Sequence, residues 1–288
     1  MSQIIWLASY PKSGNTWLRL LLRALRDDAD TPELMGAINE STIASNREVF
    51  ERVTGLVSSE LLRDEAAQMR PAVYRQLAMA SEQTLMMKVH DRFDSPAVGA
   101  ADFPVEVTQA VVYLTRDPRD VCVSFAHHLG LSVDQTLARM RKESLYLDSG
   151  AEPLAEQLPQ WLGRWDRHVS SWLDNSSLVK PILVRYESLL SDPLATLTAL
   201  IPQLGLSATV ERIRSAIERC QFDRLAAVER KQGFAERPDP AIPFFRSGNA
   251  GGWTKTLTPD QAQTICREFG PMMRRLEYDP DLASESYQ

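Results

Sequence analysis

The segment from Ile4 to Leu25 constrains the fold more than any other stretch of the chain. It opens with an apolar run, Ile4 to Ala8, continues in a polar turn over residues 10–15 (YPKSGN), and becomes leucine-rich from Thr16. A short apolar run bounded by a turn predicts a strand buried on both faces, and the leucine-rich stretch predicts a buried helix. A strand, a tight loop and a helix N-terminus bring free backbone N–H groups and the positive end of the helix dipole to one point. The segment therefore predicts an anion-binding loop suited to phosphate.

The side chains of this turn suit the same role. Lys12 adds a cation, and Ser13, Asn15 and Thr16 add three side chains that form hydrogen bonds. The spacing is not that of a Walker A loop, in which the Lys directly follows the second of two glycines. Here Lys12 precedes Gly14 by two residues. From the loop alone, a strand–turn–helix connection with a lysine by chance remains an equal alternative.

Length and charge set limits on the fold and its partners. With 288 residues, 44% hydrophobic and 24% charged, the chain can bury the core of one α/β domain or two small ones, and we predict a single domain over 1–288. The formal net charge of −6 argues against a nucleic-acid partner. A polyanionic cofactor would therefore need a local basic cluster.

Cysteine usage and hydropathy predict a cytoplasmic location without a membrane partner. The three cysteines, Cys122, Cys220 and Cys266, lie far apart and show no CxxC spacing, which suits a reducing compartment. No apolar run approaches the ~20 residues that span a bilayer. No signal-peptide pattern precedes the first strand.

Three further apolar runs predict strands over residues 84–90, 109–115 and 181–186. Alternation along the first of these places Lys88 and His90 on one face, a costly place for an unpaired lysine. Arg116 follows the next strand, and Tyr186 ends the last. Strands alternating with helices predict an α/β fold with a mostly parallel central sheet flanked by helices. Ligands of such sheets bind at the carboxyl ends of the strands, where these side chains lie.

The segment after Arg116 predicts a second anion contact. Asp117 followed by Pro118 is a strong helix start, and Asp120 is expected to complete the cap. Ser124 lies nearly two turns into that helix on a side chain tilted toward the N-terminus. Arg116 and Ser124 can therefore reach one anion.

Two other regions predict helices without chemistry of their own. Residues 28–83 read as a helical insertion, with short helices over 58–68 and 74–79 separated by Pro71. Residues 158–173 carry an apolar stripe, with Trp161, Trp165, Val169 and Trp172, that we assign to the core. His168 there is expected to be a packed, hydrogen-bonded histidine. A final helix is predicted over 258–276, followed by a frayed tail at about 280–288.

Several short segments together resemble one family. These are PKSGNTW at 11–17, KVH at 88–90, RDPRD followed by VCVS at 116–124, and FFRSG at 244–248. They are similar to motifs of the sulfotransferases of cytosolic or bacterial type that use 3′-phosphoadenosine 5′-phosphosulfate (PAPS). The resemblance spans residues 4 to about 255 and is weakest over 28–83. It implies a sulfotransferase fold related to that of P-loop NTPases.

The resemblance implies transfer of a sulfuryl group from PAPS to a hydroxyl, less often an amine, of a small-molecule acceptor. His90 would be the general base, Lys12 would neutralise the departing phosphate, and Lys88 would hold the sulfuryl oxygens. The product is adenosine 3′,5′-bisphosphate (PAP), and no metal is implied. The implied nucleotide-binding residues are Lys12, Ser13, Gly14, Asn15, Thr16, Trp17, Arg116, Ser124, Tyr186, Phe222, Arg246, Ser247 and Gly248.

The sequence departs from the family at two of these places. Relatives commonly have a lysine where Ser247 stands, so one cation at the implied 3′-phosphate site is missing; Arg237, Lys231 and Lys255 are candidates to replace it. Relatives commonly have a hydroxyl residue at Cys220, next to the implied adenine contact of Phe222. The acceptor pocket would come from residues 28–83, which are expected to cap it, with part of 125–155 and the loop 230–245.

Two alternatives remain open at this point. A small-molecule kinase on a P-loop scaffold would need a lysine after the glycine and carboxylates for Mg²⁺, and neither is evident. A non-catalytic relative that binds the nucleotide and a protein partner is supported by Ser247 alone. The retention of Lys12 and His90 argues against it.

Overall fold

A computed structural model describes residues 3–36, 38, 43–93, 103–147, 156–174, 180–237 and 243–281. Beyond position 281, the predicted frayed tail at about 280–288 lies outside the described residues. Parts of the segments expected to form the acceptor pocket, at 39–42, 148–155 and 238–242, lie outside them as well.

Four strands form the central sheet, in the order β2-β1-β3-β6. Strands β1 and β2 are parallel and pair from Ile4 with Leu85 to Ala8 with Val89. The predicted α/β fold with a parallel central sheet is confirmed, and all four predicted strands are present. A separate two-stranded sheet pairs β4 with β5. The strands are β1 Ile4–Ser9, β2 Leu85–Val89, β3 Thr108–Thr115, β4 Tyr146–Leu147, β5 Gln160–Trp161 and β6 Ile182–Arg185.

The helices follow the strands in the alternation that the sequence predicts. Short 3₁₀ turns cover Ser58–Glu60, Val105–Val107 and Gly252–Lys255. The α-helices are α1 Asn15–Arg26, α2 Thr31–Gly36, α3 Arg47–Thr54, α4 Arg63–Ala80, α5 Pro118–Leu129, α6 Val133–Met140, α7 Trp165–Leu173, α8 Tyr186–Ser191, α9 Pro193–Gln203, α10 Val210–Arg219, α11 Phe222–Gln232 and α12 Pro259–Arg275.

The chain divides into two compact units. Unit 1 comprises Met1–Tyr10, Ser41–Tyr113 and Lys142–Leu183. Unit 2 comprises Pro11–Glu40, Leu114–Arg141 and Val184–Gln288. The single-domain organisation stays a prediction.

Aromatic side chains fill the core of unit 1. The Trp6 ring meets the rings of Tyr74 and Phe103 edge-on, each at 5.0 Å between centroids. Trp172 lies 4.8 Å from Phe103, and the Trp6 indole donates to Thr108 Oγ1 at 2.9 Å. Trp172 belongs to the apolar stripe of residues 158–173 and is buried as predicted, whereas Trp161 of the same stripe is only half-buried.

One long helix, α4, replaces the two short helices predicted on either side of Pro71. Proline lacks an N–H and usually breaks a helix at a cost of about 3 kcal/mol. Here the side chains flanking it are buried and paired, since Arg70 binds both carboxylate oxygens of Asp91 at 3.0 and 2.6 Å. The Tyr74 hydroxyl donates to the Ala44 carbonyl at 3.2 Å. These tertiary contacts outweigh the local penalty, so the prediction of a break was wrong.

The predicted helix over residues 158–173 begins later than expected. Trp161 lies in β5, and α7 starts at Trp165. Gly163 between them has a φ of 62°, in the left-handed region that an ordinary helix does not contain. This glycine ends the strand segment and delays the helix.

The described residues include no helix that is both long enough and apolar enough to cross a membrane.

Burial separates the three thiols by reactivity. Cys122 and Cys220 are fully buried, and burial raises the pKa of each to about 12. At pH 8 only about one such thiol in ten thousand is a thiolate, the form that reacts. We therefore expect alkylation of the native protein, followed by peptide mass spectrometry, to modify the half-buried Cys266 first. Equal rates at all three cysteines before unfolding would contradict this.

Candidate active site

The turn between β1 and α1 has the backbone of an anion-binding loop. Lys12 has a φ of 68° and Gly14 a φ of 97°. A left-handed conformation is uncommon for a lysine, and such strain is typical of ligand-binding loops. A Cβ on Gly14 would come within 2.5 Å of the Tyr186 ring, so only glycine fits there.

Ser13, between these two residues, has a buried hydroxyl that no described residue pairs with. The residue is 1% exposed, and its Oγ forms no hydrogen bond with any described residue. An unsatisfied buried hydroxyl costs about 1–3 kcal/mol. This hydroxyl lies at the N-terminus of α1, beside Lys12, where it could donate a hydrogen bond to an anionic oxygen. The loop therefore fits the phosphate predicted from the sequence.

Thr16 is engaged by a carboxylate. Its hydroxyl donates to Glu236 Oε2 at 2.7 Å, and the other oxygen of Glu236 pairs with buried Arg19 at 2.5 Å. The hydroxyl of Thr16 has one proton to donate, and Glu236 accepts it. Thr16 can therefore donate to a 5′-phosphate only if its hydrogen bond to Glu236 breaks. Glu236 carries no local sequence signal that predicts this contact.

Arg116 connects the loop with the glycine-rich segment near residue 249. Its guanidinium donates to the carbonyls of Lys12 at 3.3 Å and Asn249 at 2.8 Å. It also lies over the Tyr186 ring, 4.4 Å from the centroid. Desolvation by burial raises the pKa of Tyr186, with Arg116 opposing that shift. One cation therefore contacts both segments in which phosphate-binding residues are predicted.

Three aromatic side chains lie around these residues. The ring centroids of Trp17 and Tyr186 are 6.0 Å apart, and the Trp17 indole donates to the Cys220 carbonyl at 2.9 Å. Cys220 thus contributes a backbone contact here. The Phe222 ring lies directly against Gly248, whose φ is 60° and where a Cβ would be 2.4 Å from the ring.

Lys12 and the segment before Arg246 are in contact. The Lys12 ammonium lies 4.2 Å from the centre of the Phe244 ring, a cation–π contact. Burial lowers the pKa of His127, and the nearby charges of Arg246 and Lys12 lower it further. Arg246 and Ser247 are exposed. Lys12 and Arg246 make this region locally positive although the chain as a whole is acidic.

His90 directly follows β2, as predicted, and its tautomer is defined. Nδ1 lies 2.8 Å from the Ser9 carbonyl oxygen. A carbonyl only accepts, so Nδ1 carries a proton, and when the ring is neutral Nε2 keeps a lone pair. Lys88 and His90 are both buried, with 8% and 7% exposure. The geometry of His90 is that of a side chain able to accept a proton at Nε2.

A hydrogen-bond network supports the backbone of His90. His168 Nε2 donates to the His90 carbonyl at 3.0 Å, and Tyr113 OH lies 2.9 Å from His168 Nδ1. The indole of Trp172 donates to the next carbonyl, that of Asp91, at 3.0 Å. His168 is fully buried and hydrogen-bonded, as predicted. Asp91 and Arg70 have no motif of their own and were missed by sequence reasoning.

The predicted site residues fall into two sets. Unit 1 contains Lys88 and His90, the predicted sulfuryl and base residues. Unit 2 contains every residue predicted to bind the nucleotide: Lys12, Ser13, Gly14, Asn15, Thr16, Trp17, Arg116, Ser124, Tyr186, Phe222, Arg246, Ser247 and Gly248.

Helix α5 begins as predicted, but Asp120 does not complete its cap. The Asp117 side chain accepts from Arg119 N at 2.9 Å, while its own N–H donates to Glu187 at 3.0 Å. Asp120 instead accepts from the backbone N–H groups of Gly251 and Trp253. Burial raises the pKa of Asp120 despite the neighbouring Arg116. The expected reciprocal cap was wrong because a distant residue, Glu187, takes its place.

Among the residues that the structure describes, no group of His, Cys, Asp and Glu side chains is arranged to hold a metal ion.

Comparison with known proteins identifies the family. The family model for the sulfotransferase domain matches residues 2–277. A flavonol 3-sulfotransferase of Flaveria bidentis is 23% identical over 278 residues, covering 91% of this chain and 78% of its own. Cytosolic sulfotransferase 3 of Arabidopsis thaliana is 26% identical over 270 residues, covering 91% and 74%.

Solved structures show the same fold. A mouse sulfotransferase complexed with PAP has a TM-score of 0.59 at 19% identity and covers 99% of this chain and 88% of its own. Retinol dehydratase in a complex with retinol and PAP has a TM-score of 0.63 at 18% identity and covers 95% and 82%. With the family model matching nearly the whole length, the chain belongs to the sulfotransferase family.

Proposed function

We propose that this protein transfers the sulfuryl group of PAPS to a hydroxyl, or less often an amine, of a small-molecule acceptor in the cytoplasm. The observation that carries the proposal is the loop before α1, where Lys12 and Gly14 adopt left-handed conformations and the buried Ser13 Oγ has no hydrogen-bond partner among the described residues. Family membership supports it, as do the PAP and retinol held by structural neighbours and the cytosolic naming of relatives.

The 5′-phosphate would lie in this loop. The Ser13 hydroxyl, which has no acceptor among the described residues, would donate a hydrogen bond to it. The N–H groups at the start of α1 would add further donors. Lys12 would leave the face of Phe244 and neutralise charge on the phosphate. Asn15 and Thr16 complete the set, with Thr16 exchanging its bond to Glu236 for one to the nucleotide.

The 3′-phosphate would be held by Arg116, Ser124, Arg246 and the backbone of Gly248. Of these, Arg116 reaches the backbone of the glycine-rich segment through Asn249. The adenine would lie among Trp17, Tyr186 and Phe222; the Tyr186 ring lies against Gly14 and 6.0 Å from the Trp17 ring, and the Phe222 ring lies against Gly248. A 3′-phosphate site is what distinguishes PAPS from ATP, so these residues define the cofactor.

In the reaction, the acceptor oxygen forms a bond to sulfur as the bond from sulfur to the phosphate oxygen breaks, and that electron pair leaves with PAP. His90 Nε2 takes the acceptor's proton, which its tautomer permits because Nδ1–H is committed to Ser9. Lys88 would steady the sulfuryl oxygens, and Lys12 the phosphate that departs. Catalysis of this kind depends on in-line positioning and charge stabilisation, as in phosphoryl transfer.

Thermal shift with matched nucleotides tests the proposal. PAP should raise the melting temperature, since a ligand at about 100 Kd adds about 2.7 kcal/mol to stability, whereas AMP at the same concentration should raise it little. Equal shifts with PAP and AMP would overturn the 3′-phosphate assignment. A shift with ATP that depends on Mg²⁺ would favour a kinase. Transfer of the sulfuryl group is then measured with PAPS and a panel of phenols, alcohols and amines.

Ser247→Lys tests the departure from the family. The structure describes Arg237 as paired with Glu229 at 3.2 Å, so this candidate replacement cation is already neutralised. A lysine at the exposed position 247 would add a charge-assisted contact worth about 1.5–3 kcal/mol. We expect PAP affinity to rise about tenfold, with a steeper loss in salt, measured by calorimetry at two ionic strengths. Unchanged affinity would shift attention to Lys231 and Lys255.

A further inference from the structure

We propose that two buried carboxylates, Glu229 and Asp120, are positioning residues that fix the ends of the phosphate segment, residues 244–253, and thereby set its selectivity for a 3′-phosphate. This rests on the proposed function, because Arg246 and Gly248 lie within that segment. Neither carboxylate is predicted to touch the nucleotide. Their effect is on the backbone that presents the residues predicted to touch it.

Glu229 holds the first end. It lies on α11, is 3% exposed, and accepts the backbone N–H of Phe244 at 2.6 Å and of Phe245 at 2.9 Å. Arg237 pairs with the same carboxylate at 3.2 Å. Each oxygen binds one of two successive amides, so the chain direction is fixed immediately before Arg246. Hydrogen bonds to a charged acceptor are stronger than neutral ones.

Asp120 holds the second end in the same way. It lies in the first turn of α5, is 4% exposed, and accepts from the N–H of Gly251 at 2.7 Å and of Trp253 at 2.9 Å. Arg116 lies 3.9 Å from its carboxylate. The two carboxylates thus repeat one arrangement, two backbone amides and one arginine, on either side of residues 246–249.

Electrostatics indicates why these groups serve position and not direct binding. A carboxylate close to a phosphate repels it unless its charge is compensated. Here each charge is met by an arginine and two N–H donors, so its effect on the anion is reduced. In return the exposed Arg246 and Ser247 are presented by a backbone that is held at both ends, which lowers the ordering entropy lost when the anion binds.

The residues between the two ends of the phosphate segment make contacts that depend on its path. Gly248 lies against the Phe222 ring, and the Asn249 carbonyl accepts from Arg116. Both contacts require the segment to take one path between Phe245 and Gly251. Releasing one end should therefore loosen the 3′-phosphate contacts, which the backbone of this segment presents, more than the contacts of the 5′-phosphate loop before α1.

The test uses Glu229→Gln and Asp120→Asn in the full-length protein. Each keeps the shape but replaces one acceptor oxygen by an NH₂ group that cannot accept an amide N–H. Calorimetric titration with PAP and with AMP gives the ratio of the two affinities. We expect each variant to lower PAP affinity about five- to tenfold and AMP affinity little. Glu218→Gln, at an exposed salt bridge to Arg224, is the matched control and should leave the ratio unchanged.

The wild-type ratio separates this inference from the proposed function. If wild-type protein binds AMP as tightly as PAP, the 3′-phosphate site itself is wrong, and the positioning role falls with it. If wild type prefers PAP and both folded variants keep that preference, the positioning role alone is overturned. Loss of PAP and AMP affinity by the same factor would also overturn it, because that indicates general destabilisation.

Amide exchange provides a measurement that does not depend on the variants folding. In wild-type protein the N–H groups of Phe244, Phe245, Gly251 and Trp253 should exchange far more slowly than those of residues 246–249. Exchange of the four anchored amides at the rate of an unstructured peptide would overturn the proposal even if one variant fails to fold.

Discussion

Replacing His90 by alanine is expected to lower kcat by about 10²–10⁴-fold, the usual contribution of a general base. PAP affinity should stay nearly unchanged, because His90 is predicted to act on the acceptor and is not among the residues predicted to bind the nucleotide. The measurement is steady-state turnover with the best acceptor of the panel, combined with calorimetry for PAP.

His90→Asn separates proton transfer from position. An asparagine can still donate to the Ser9 carbonyl in place of Nδ1, but it offers no basic nitrogen. It should therefore lose as much turnover as His90→Ala while keeping the melting temperature closer to that of wild type. If either variant keeps more than about a tenth of the wild-type kcat, the general-base role is wrong.

Lys12→Ala is the contrasting variant. Lys12 lies in the loop before α1 and would touch phosphate both before and during transfer, so its loss should weaken PAP binding as well as turnover. The pair distinguishes a residue that acts on the acceptor from one that acts on the nucleotide. Equal effects of His90→Ala and Lys12→Ala on PAP affinity would contradict that division.

The elements with a local signal were predictable from sequence. The apolar run of β1 and the leucine-rich start of α1 identify both elements to within one residue. Asp117 followed by Pro118 identifies the start of α5, where the Asp117 side chain accepts from Arg119 N. Local patterns succeed here because the spacing of apolar residues and the helix cap both depend on residues that are close in the sequence.

The two carboxylates that hold the phosphate segment, Asp120 and Glu229, were not predictable in this way. Asp120 finds its partners 131 and 133 residues along the chain, and Glu229 finds its partners 15 and 16 residues along. A carboxylate that accepts backbone N–H groups has no fixed sequence spacing, since any non-proline residue supplies the donor. Asp120 was instead assigned to the helix cap, the one role its local position indicates.

Pro71 shows the same limit for secondary structure. Its local effect predicts a helix break, and tertiary contacts such as the buried pair of Arg70 with Asp91, 21 residues away, explain why α4 continues. A buried ion pair of this kind is costly to break because one charge is left without its partner. Tertiary contacts thus decide the element where the local penalty is a few kcal/mol.

Gly248→Ala is expected to lower PAP affinity by about 10- to 100-fold, because it should remove one charge-assisted contact of about 1.5–3 kcal/mol. The new Cβ would lie 2.4 Å from the Phe222 ring, closer than any real contact, so the ring or the segment must move. Either movement displaces the Gly248 backbone from the predicted 3′-phosphate or the ring from the predicted adenine.

Gly55→Ala is the matched control for this variant. Gly55 has a φ of 71° against 60° for Gly248, but a Cβ there meets no atom of the described residues within 4 Å. Both substitutions carry the left-handed strain of about 1–2 kcal/mol, and only Gly248→Ala adds the collision. Both should therefore lower the melting temperature, whereas only Gly248→Ala should weaken PAP in calorimetry. Equal PAP affinities for the two variants would show that the path of the segment past Phe222 does not matter for the nucleotide.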